Sequence, residues 1–538
     1  MSPSLLNLLS VVALCASSTL ATSPESLPAR EVWKQEWHEL QKAGRTAHKY
    51  HKDLWRRGMT ISVAGTGEAS ATADETATSV DGIASSSTTQ PVSTDASSSS
   101  SSTTRPTVTA SSTSVPSSTL NSPLSSTTTT AAPSPYSSTS TRALAATTCA
   151  SAYTGGAFTI TGTGTLPSPT AFVKKAIRSQ QLTLNNAPYR IVGPNIYWLC
   201  QDENYGPVGS YTDKARIREA LAAAVAMGAN TIRAHSCGIS VGPNNPYNLE
   251  PRWRVFNDSA WDARDYAIYA AGRYGLRMIL PLTDNYKYYH GSKYDFLSFR
   301  FADTSYPGTA FYSNRAVINA YGEYIQTVLA RVNPYTGLRY ADDPTILAWE
   351  TGNELGGYIN REPWPTTYFT TSVIRFIRAV DTNHLVLDGT NGFYNYTTKA
   401  TSLGLTNRGV NMVTDHGYPR SVPLFNAQVP LAANNAKNFL IGEWDWTNSF
   451  GGSSIDDYIT ALEGNAYVGD MIWSLFGHDP QCCAYVTHND GYSLYYPNGP
   501  NTADQQANIL KVVQHWYRVT NRPIPSTLPG VACPQPEF

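Results

Sequence analysis

Two glutamates end apolar runs that resemble buried strands, and the pair could perform acid–base chemistry. Glu354 ends the segment Ile346-Leu-Ala-Trp-Glu-Thr-Gly-Asn-Glu354, and Glu443 ends Phe439-Leu-Ile-Gly-Glu443. Hydrolysis of a glycosidic bond needs such a pair, because one carboxylic acid protonates the leaving oxygen while a second, ionised carboxylate faces the anomeric carbon. Either glutamate alone could equally be a structural carboxylate in a salt bridge, so the hypothesis depends on the residues around them.

Other polar and aromatic side chains end or closely follow the remaining apolar runs. They are Arg233, Asp284-Asn285, Asn353, Asp388, His416, Tyr418 and Trp473. Asn353 directly precedes Glu354 and could hydrogen-bond the sugar hydroxyl next to the anomeric carbon. Glu350 lies four residues before Glu354 on the same run, so we expect a deeper, hydrogen-bonded carboxylate there rather than a third catalytic group.

Eight short apolar runs could position these residues, as expected for parallel strands that are covered on both faces. The predicted strands are Arg190–Leu199, Asn230–His235, Arg277–Asp284, Ile346–Glu354, His384–Gly389, Val410–His416, Phe439–Trp444 and Asp470–Phe476. Helical patterns lie between them, among them Thr212–Met227 with Thr as its cap, Ser259–Tyr274, and Asn314–Val332 after Ser313.

This alternation predicts an α/β fold, a (β/α)8 TIM barrel with long loops, whose active site lies at the carboxyl ends of the strands. A doubly wound open sheet is the alternative, but no Gly-rich phosphate loop follows the first predicted strand.

The order of the polar residues along the strands resembles that of glycoside hydrolase family 5, which consists of retaining barrels with both catalytic glutamates on strands four and seven. The match consists of Arg233 after strand two, Asn353-Glu354 after strand four, His416-Gly-Tyr418 after strand six, Glu443 after strand seven and Trp473 in strand eight. The segments Gly193-Pro-Asn195-Ile-Tyr-Trp198-Leu and Ala348-Trp-Glu350 are similar to those of fungal endo-β-1,4-mannanases.

The resemblance implies that Glu354 is the general acid/base and Glu443 the nucleophile. It also implies that Tyr418 hydrogen-bonds Glu443, and that Arg233 favours the ionised form of the same carboxylate. The residues expected to bind substrate are Arg233, Asn353, His416, Tyr418, Trp473, Trp198, Asn285 and Trp444.

Two departures from the family pattern leave the identity of the sugar open. Glu354 is followed by Leu355-Gly-Gly where many relatives have Pro, and Glu443 is followed by Trp444-Asp-Trp446 where mannanases commonly have an aromatic residue and then Gly. The leading hypothesis is an endo-acting β-1,4-mannanase, and a β-glucanase, a β-mannosidase or another β-glycosidase are the alternatives. From another class, a non-hydrolytic carbohydrate-binding wall protein would be expected to have lost one glutamate.

Composition argues against several other partners. The net charge is −1, so we expect no nucleic acid and no anionic membrane as partner. There is no Cys/His cluster with zinc spacing, so no metal or cofactor is expected. The 33 Tyr and 12 Trp suit sugar rings, although ordinary core packing explains them equally well. We expect a monomer.

The chain has a segmented N-terminal part. Residues 1–21 resemble a secretory signal, 22–63 a short helix-prone propeptide or docking segment, and 64–148 a disordered, O-glycosylated Ser/Thr/Pro linker before a catalytic domain at 149–538. We therefore expect a secreted protein, in the medium or at the cell wall, without membrane insertion after signal cleavage. Six cysteines remain after the signal and should form disulfides. Some of these bridges should pin rim loops, where Cys200, Cys237 and Cys482-Cys483 lie, and Cys149 could pair with Cys533.

Overall fold

Eight parallel strands close into a barrel in the computed structural model, which describes residues 166–301, 308–357, 362–448, 451–481, 483–488, 490–497 and 499–538. The strands, numbered here by barrel position, are β1 Val192–Pro194, β2 Thr231–Arg233, β3 Arg277–Pro281, β4 Ile346–Glu350, β5 Leu385–Asp388, β6 Met412–Gly417, β7 Asn438–Trp444 and β8 Gly469–Ile472. Each strand pairs in parallel with its neighbour, and β8 pairs with β1. The bridge between Asn195 and Arg233 completes the circle. All eight predicted strands are confirmed.

A helix follows each strand on the outside of the barrel. The helices are α1 Lys214–Ala226, α2 Trp261–Arg273, α3 Arg315–Ala330, α4 Thr367–Arg378, α5 Leu403–Thr406, α6 Val422–Asn434, α7 Ile455–Glu463 and α8 Ala503–Val519. The three predicted helices are present, but two begin with different caps: Asp213 rather than Thr212 caps α1, and Asn314 rather than Ser313 caps α3. In both pairs the second residue has the shorter path to the first free N–H groups of the helix.

Short elements decorate both ends of the barrel. At the amino end, an antiparallel sheet of Lys174–Lys175, Leu182–Leu184 and Ala187–Tyr189 brings Val173 and Leu182 against the apolar barrel interior. At the carboxyl end, Gln201–Asp202 pairs with Ser210–Tyr211, and Leu475–Phe476 pairs with Leu494–Tyr495. Single helical turns or short helices are Asp258–Ala260, His235–Gly238, Lys293–Ser298, Gly308–Tyr312 and Tyr340–Asp342.

Among the described residues, two disulfides join loops of the barrel. Cys200 after β1 bonds Cys237 after β2, as expected for a bridge between rim loops. Cys533 bonds Cys483, in the loop after β8, so the expected pairing of Cys533 with Cys149 is wrong. The C-terminal tail crosses α1 and the end of α2. Arg218 of α1 donates to the carbonyl of Gln535, Tyr274 donates to the Gln535 side chain, and Phe538 packs on Tyr269.

The predicted signal, the helix-prone segment and the linker all lie outside the described residues, as does Cys149. Within the part of the chain that is described, no helix is both long and apolar enough to cross a membrane.

Candidate active site

The loop that follows β4 holds Glu354 in an uncommon backbone conformation at the mouth of the barrel. The strand ends at Glu350, earlier than predicted, and the chain then passes through Gly352 to Glu354, whose φ of 51° lies in the left-handed region. Backbone hydrogen bonds from Asn353 to Thr283 and from Leu355 to Gly389 fix this turn between β3 and β5. A side chain at Gly352 would come within 2.6 Å of Thr283, so the turn requires glycine.

Glu443 lies within β7, and hydrogen bonds hold both of its oxygens. Arg233 Nη1 donates to Oε1 at 2.7 Å, and the Tyr418 hydroxyl donates to Oε2 at 3.1 Å. Its position is therefore fixed by β2 and by the loop after β6 as well as by its own strand.

Arg233 connects most of the site. Its guanidinium is fully buried and makes a bidentate pair with Glu350, with both N···O distances at 2.7 Å. The same group donates to Glu443, to Asn353 Oδ1 at 2.8 Å and to Asn195 Oδ1 at 3.0 Å. Glu350 is thus the buried hydrogen-bonding carboxylate expected from the sequence, and it holds the arginine that contacts Glu443.

His416 lies between the two glutamates. Its Nδ1 is 2.6 Å from Glu354 Oε1 and 3.5 Å from Glu443 Oε2. One oxygen of each glutamate and this nitrogen all lie within 4.8 Å of one another. The nearest oxygens of the two carboxyl groups are therefore at most 4.8 Å apart, which favours the spacing of about 5–5.5 Å in retaining glycosidases over the roughly 6.5–9.5 Å of inverting enzymes.

Among these three side chains, His416 and Glu354 share one proton. Burial opposes a charge on His416, but the carboxylates of Glu443 and Glu354 outweigh burial and raise its pKa. Burial likewise opposes ionisation of Glu354, but His416 outweighs it and lowers the pKa of that carboxyl. The short hydrogen bond between them thus holds one proton that either partner can carry.

Burial raises the pKa of Glu443, while His416 and Arg233 act in the opposite direction. Arg233 is a permanent cation in direct contact with Glu443, so it favours the ionised form of that carboxylate against the effect of burial.

Asn353 is oriented by its neighbours on either side. Its amide oxygen accepts from Arg233, and its nitrogen faces both oxygens of Asp284 at 3.3 Å. Asn285 lies next to Asn353, and the amide oxygen of Asn285 accepts hydrogen bonds from Lys293 and Tyr312. The loop after β3 therefore supports Asn353 at the edge of the site.

Trp473, just after β8, is partly exposed and suits an apolar platform. Its indole nitrogen donates to Asp490 at 2.9 Å, and its ring stacks on Tyr197 at 5.2 Å. Trp198 and Trp444, which we expected to form subsite walls, are both fully buried. The indole of Trp198 donates to the carbonyl of Leu475, and that of Trp444 donates to Asp470, so neither can contact a sugar.

Sequence reasoning missed His235, which is buried beside the site. Its Nε2 lies 3.2 Å from Arg233 Nη1 and 3.7 Å from Glu443, and its ring meets Trp473 edge-on at 5.2 Å. Burial and then Arg233 lower its pKa well below the ordinary value, so it is a neutral acceptor. Its position two residues after Arg233, on the same side of an extended chain, was the available signal. Tyr286, in the loop after β3, hydrogen-bonds Glu354.

A metal ion has one candidate location among the described residues, and it coincides with the trio of Glu354, His416 and Glu443. These ligand atoms already bond one another or Arg233, whose guanidinium supplies the positive charge at Glu443. The trio therefore fits a proton and a guanidinium better than a divalent ion.

Comparison with known proteins places this site in a family. Residues 170–452 match the family described as "GH family 5 beta-mannosidase-like". The chain is 26% identical over 389 residues to mannan endo-1,4-beta-mannosidase 1 of Arabidopsis thaliana, covering 63% of this chain and 91% of that protein. Mannan endo-1,4-beta-mannosidase 1 of Oryza sativa subsp. japonica is also 26% identical, over 61% of this chain and 83% of the relative.

Solved structures agree on the fold. The endo-1,4-beta-mannanase from Rhizomucor miehei matches with a TM-score of 0.53 at 22% identity, over 65% of this chain and all of that one. The endo-beta-1,4-mannanase from Thermotoga petrophila matches with a TM-score of 0.52 at 20% identity, over 63% and 78%. The chain is a (β/α)8-barrel glycoside hydrolase that belongs to the β-mannosidase-like group of glycoside hydrolase family 5.

Proposed function

We propose that the enzyme cleaves β-1,4-mannosidic bonds in mannan with retention of anomeric configuration, using Glu443 as nucleophile and Glu354 as acid/base. The observation that supports this most directly is the approach of one oxygen of Glu354 to within 4.8 Å of one oxygen of Glu443. At that separation a carboxylate can attack the anomeric carbon itself, whereas an inverting enzyme needs room for water between carboxylate and sugar.

In the first step, the Glu443 carboxylate attacks the anomeric carbon while the proton held by the Glu354–His416 pair passes from Glu354 to the leaving oxygen. Arg233 and Tyr418 hold the two oxygens of Glu443, so the nucleophile needs little reorientation. The sugar being cleaved rests on Trp473, and Asn353 faces its neighbouring hydroxyl.

In the second step, Glu354 removes a proton from water, which displaces Glu443 from the sugar. Formation of the covalent intermediate has removed the negative charge of Glu443. The proton of the pair has already gone to the leaving oxygen, and loss of the negative charge on Glu443 lowers the pKa of Glu354. Glu354 therefore stays ionised after it has acted as an acid, and it can accept a proton from water as a base. His416, bonded at 2.6 Å, is the group that shares the proton in both directions.

Mannan as substrate is supported by the relatives, several of which are described as mannan endo-1,4-beta-mannosidases. The match covers 91% of the Arabidopsis thaliana relative and 83% of the Oryza sativa relative. Endo action within a polysaccharide is the corresponding proposal for the mode of attack.

We also propose that the enzyme works outside the cell, in the medium or at the wall. The signal-like residues 1–21 and the Ser/Thr-rich residues 64–148 support secretion. The two disulfides support it too, because such bonds persist in oxidising compartments.

The test is release of reducing sugar from galactomannan, barley β-glucan and carboxymethylcellulose by the wild type, Glu354→Ala and Glu443→Ala. We expect hydrolysis of galactomannan alone and a fall of about 10³-fold or more in either variant, with unchanged far-UV spectra. Hydrolysis of glucan only would refute the choice of sugar. Near-native turnover in Glu443→Ala would refute the nucleophile.

A further inference from the structure

A group of polar side chains that the proposed mechanism does not use adjoins Trp473. We call it the glycone cluster and define it as Glu203 and Asn204, from the loop after β1, with His488 and Asp490, from the loop after β8. Asp490 accepts from the Trp473 indole, and His488 Nδ1 lies 2.9 Å from Asn204 Oδ1. The cluster thus joins two loops beside the sugar platform.

A disulfide anchors each of the two loops. Cys200 lies three residues before Glu203 and bonds Cys237, and Cys483 lies five residues before His488 and bonds Cys533. Asp202, next to Glu203, forms a fully buried ion pair with Arg216 at 2.8 Å. A site built on such loops loses little conformational entropy when it binds a ligand.

Glu203 has binding capacity that the protein does not use. One of its oxygens accepts from the Tyr197 hydroxyl at 2.8 Å, and the other makes no hydrogen bond within the described residues. Its side chain is 16% exposed and that of His488 is 10% exposed, so solvent or a ligand can reach both.

The expected direction of the substrate chain places its glycone half beside this cluster. Glu354, after β4, must face the leaving oxygen, so the leaving half of the substrate lies on the β4 side of Trp473. The other half, the glycone, must then continue from Trp473 towards the loops after β8 and β1, which carry the cluster.

We propose that Glu203, with His488 beside it, binds hydroxyl groups of the sugar unit that precedes the cleaved sugar on its non-reducing side. The ligand class is a neutral β-linked hexose chain, because a carboxylate oxygen accepts strongly from sugar hydroxyls and repels an acidic sugar. This inference rests on the proposed function and adds a specificity-determining residue to it.

The experiment compares aryl β-mannosides that carry one or two mannose units, as the ratio of kcat/KM for the longer to the shorter substrate. Loss of a hydrogen bond to a charged group should lower this ratio about tenfold or more in Glu203→Gln. In mannopentaose hydrolysed in ¹⁸O-labelled water, the same variant should cleave more often with a single sugar on the glycone side.

Two control variants separate binding from support of the platform. Glu323→Gln changes a remote surface glutamate paired with Arg254 and should leave the ratio unchanged. Tyr197→Phe removes the hydroxyl that donates to Glu203 and accepts from Asn204, but it keeps the ring that stacks on Trp473, so the ratio should stay near that of the wild type.

An unchanged ratio and cleavage pattern in Glu203→Gln would overturn the inference. So would an equal loss on both substrates, or the same loss in Tyr197→Phe, because each would show that Glu203 merely supports the Tyr197–Trp473 stack. If the wild type cleaves glucosides and no mannosides, the proposed function fails, and the ratio is then measured on the glucoside series.

Discussion

Replacement of Arg233 by Met tests whether one buried cation organises the active site. Met has similar length and no charge, so the variant removes five hydrogen bonds to side-chain oxygens while it keeps most of the volume. Glu350 and Glu443 would then face each other in the barrel without the guanidinium that separates them.

The expected cost follows from burial. Both Arg233 and Glu350 are fully buried, and removal of one partner from such a pair typically costs about 3–5 kcal/mol because the other charge is left uncompensated. Glu443, with a side chain only 7% exposed, loses the same partner. We therefore expect Arg233→Met to lose at least about 3 kcal/mol of unfolding free energy at neutral pH, a large share of the 5–15 kcal/mol typical of a domain.

The sign of the pH dependence is part of the prediction. Burial already raises the pKa of Glu443, and loss of Arg233 removes an influence that lowers it, so the folded variant binds more protons than the unfolded chain. Its stability deficit should then be largest above the folded pKa and should shrink as the pH falls through it.

Urea denaturation at several pH values measures this deficit, with Glu350→Gln and the double variant as comparisons. Glu350→Gln leaves Arg233 and Glu443 in a balanced pair, so it should cost less than Arg233→Met. The double variant should recover about 1–3 kcal/mol of the loss, because it removes one of the two unpaired carboxylates. A deficit in Arg233→Met below about 1 kcal/mol, or one that grows on acidification, would refute the reasoning.

Three further predictions concern the chemistry and the domain. Azide should rescue Glu443→Ala and give the inverted α-product, since it attacks from the vacated face; β-product would place the nucleophile elsewhere. His416→Ala should move the alkaline limb of the kcat/KM–pH profile to lower pH. In the wild type the acid proton is shared with a histidine of raised pKa, whereas in the variant Glu354 must keep that proton alone. An unmoved limb would show that another group titrates. A chain of residues 146–538 should match the full-length protein in turnover and melting temperature, and a clear drop in either would show that the preceding segments contribute to the fold.

The sequence was sufficient to predict the barrel and the residues at its carboxyl rim. Strands of this fold are short apolar runs because helices and core cover both of their faces, and that pattern is local in sequence. The end of β4 could not be read in this way: Asn353 and Glu354 continue the run, but Gly352 turns the chain, and Glu354 adopts a left-handed conformation.

The wrong expectations concern contacts between distant parts of the chain. Trp198 and Trp444 have the right type for a sugar platform, but their indole nitrogens bond Leu475 and Asp470, and nothing in the local pattern predicts such partners. The glycone cluster was missed for the same reason, since Asn204 and His488 meet across 284 positions of sequence. The pairing of Cys533 likewise depends on the path of the C-terminal tail.

The charges of the site can be related to the reaction it would catalyse. Glu350, Glu354 and Glu443 contribute three negative charges, and Arg233 together with the proton on the Glu354–His416 pair contributes two positive ones. One net negative charge then remains in a buried pocket, and the proposed mechanism assigns it to Glu443, facing the sugar. The transition state of glycoside hydrolysis develops positive charge at the anomeric carbon. A pocket that is fixed in advance with the opposite charge stabilises that state more than the neutral substrate, and Glu350 contributes to this balance without contacting the sugar, by holding Arg233 in place.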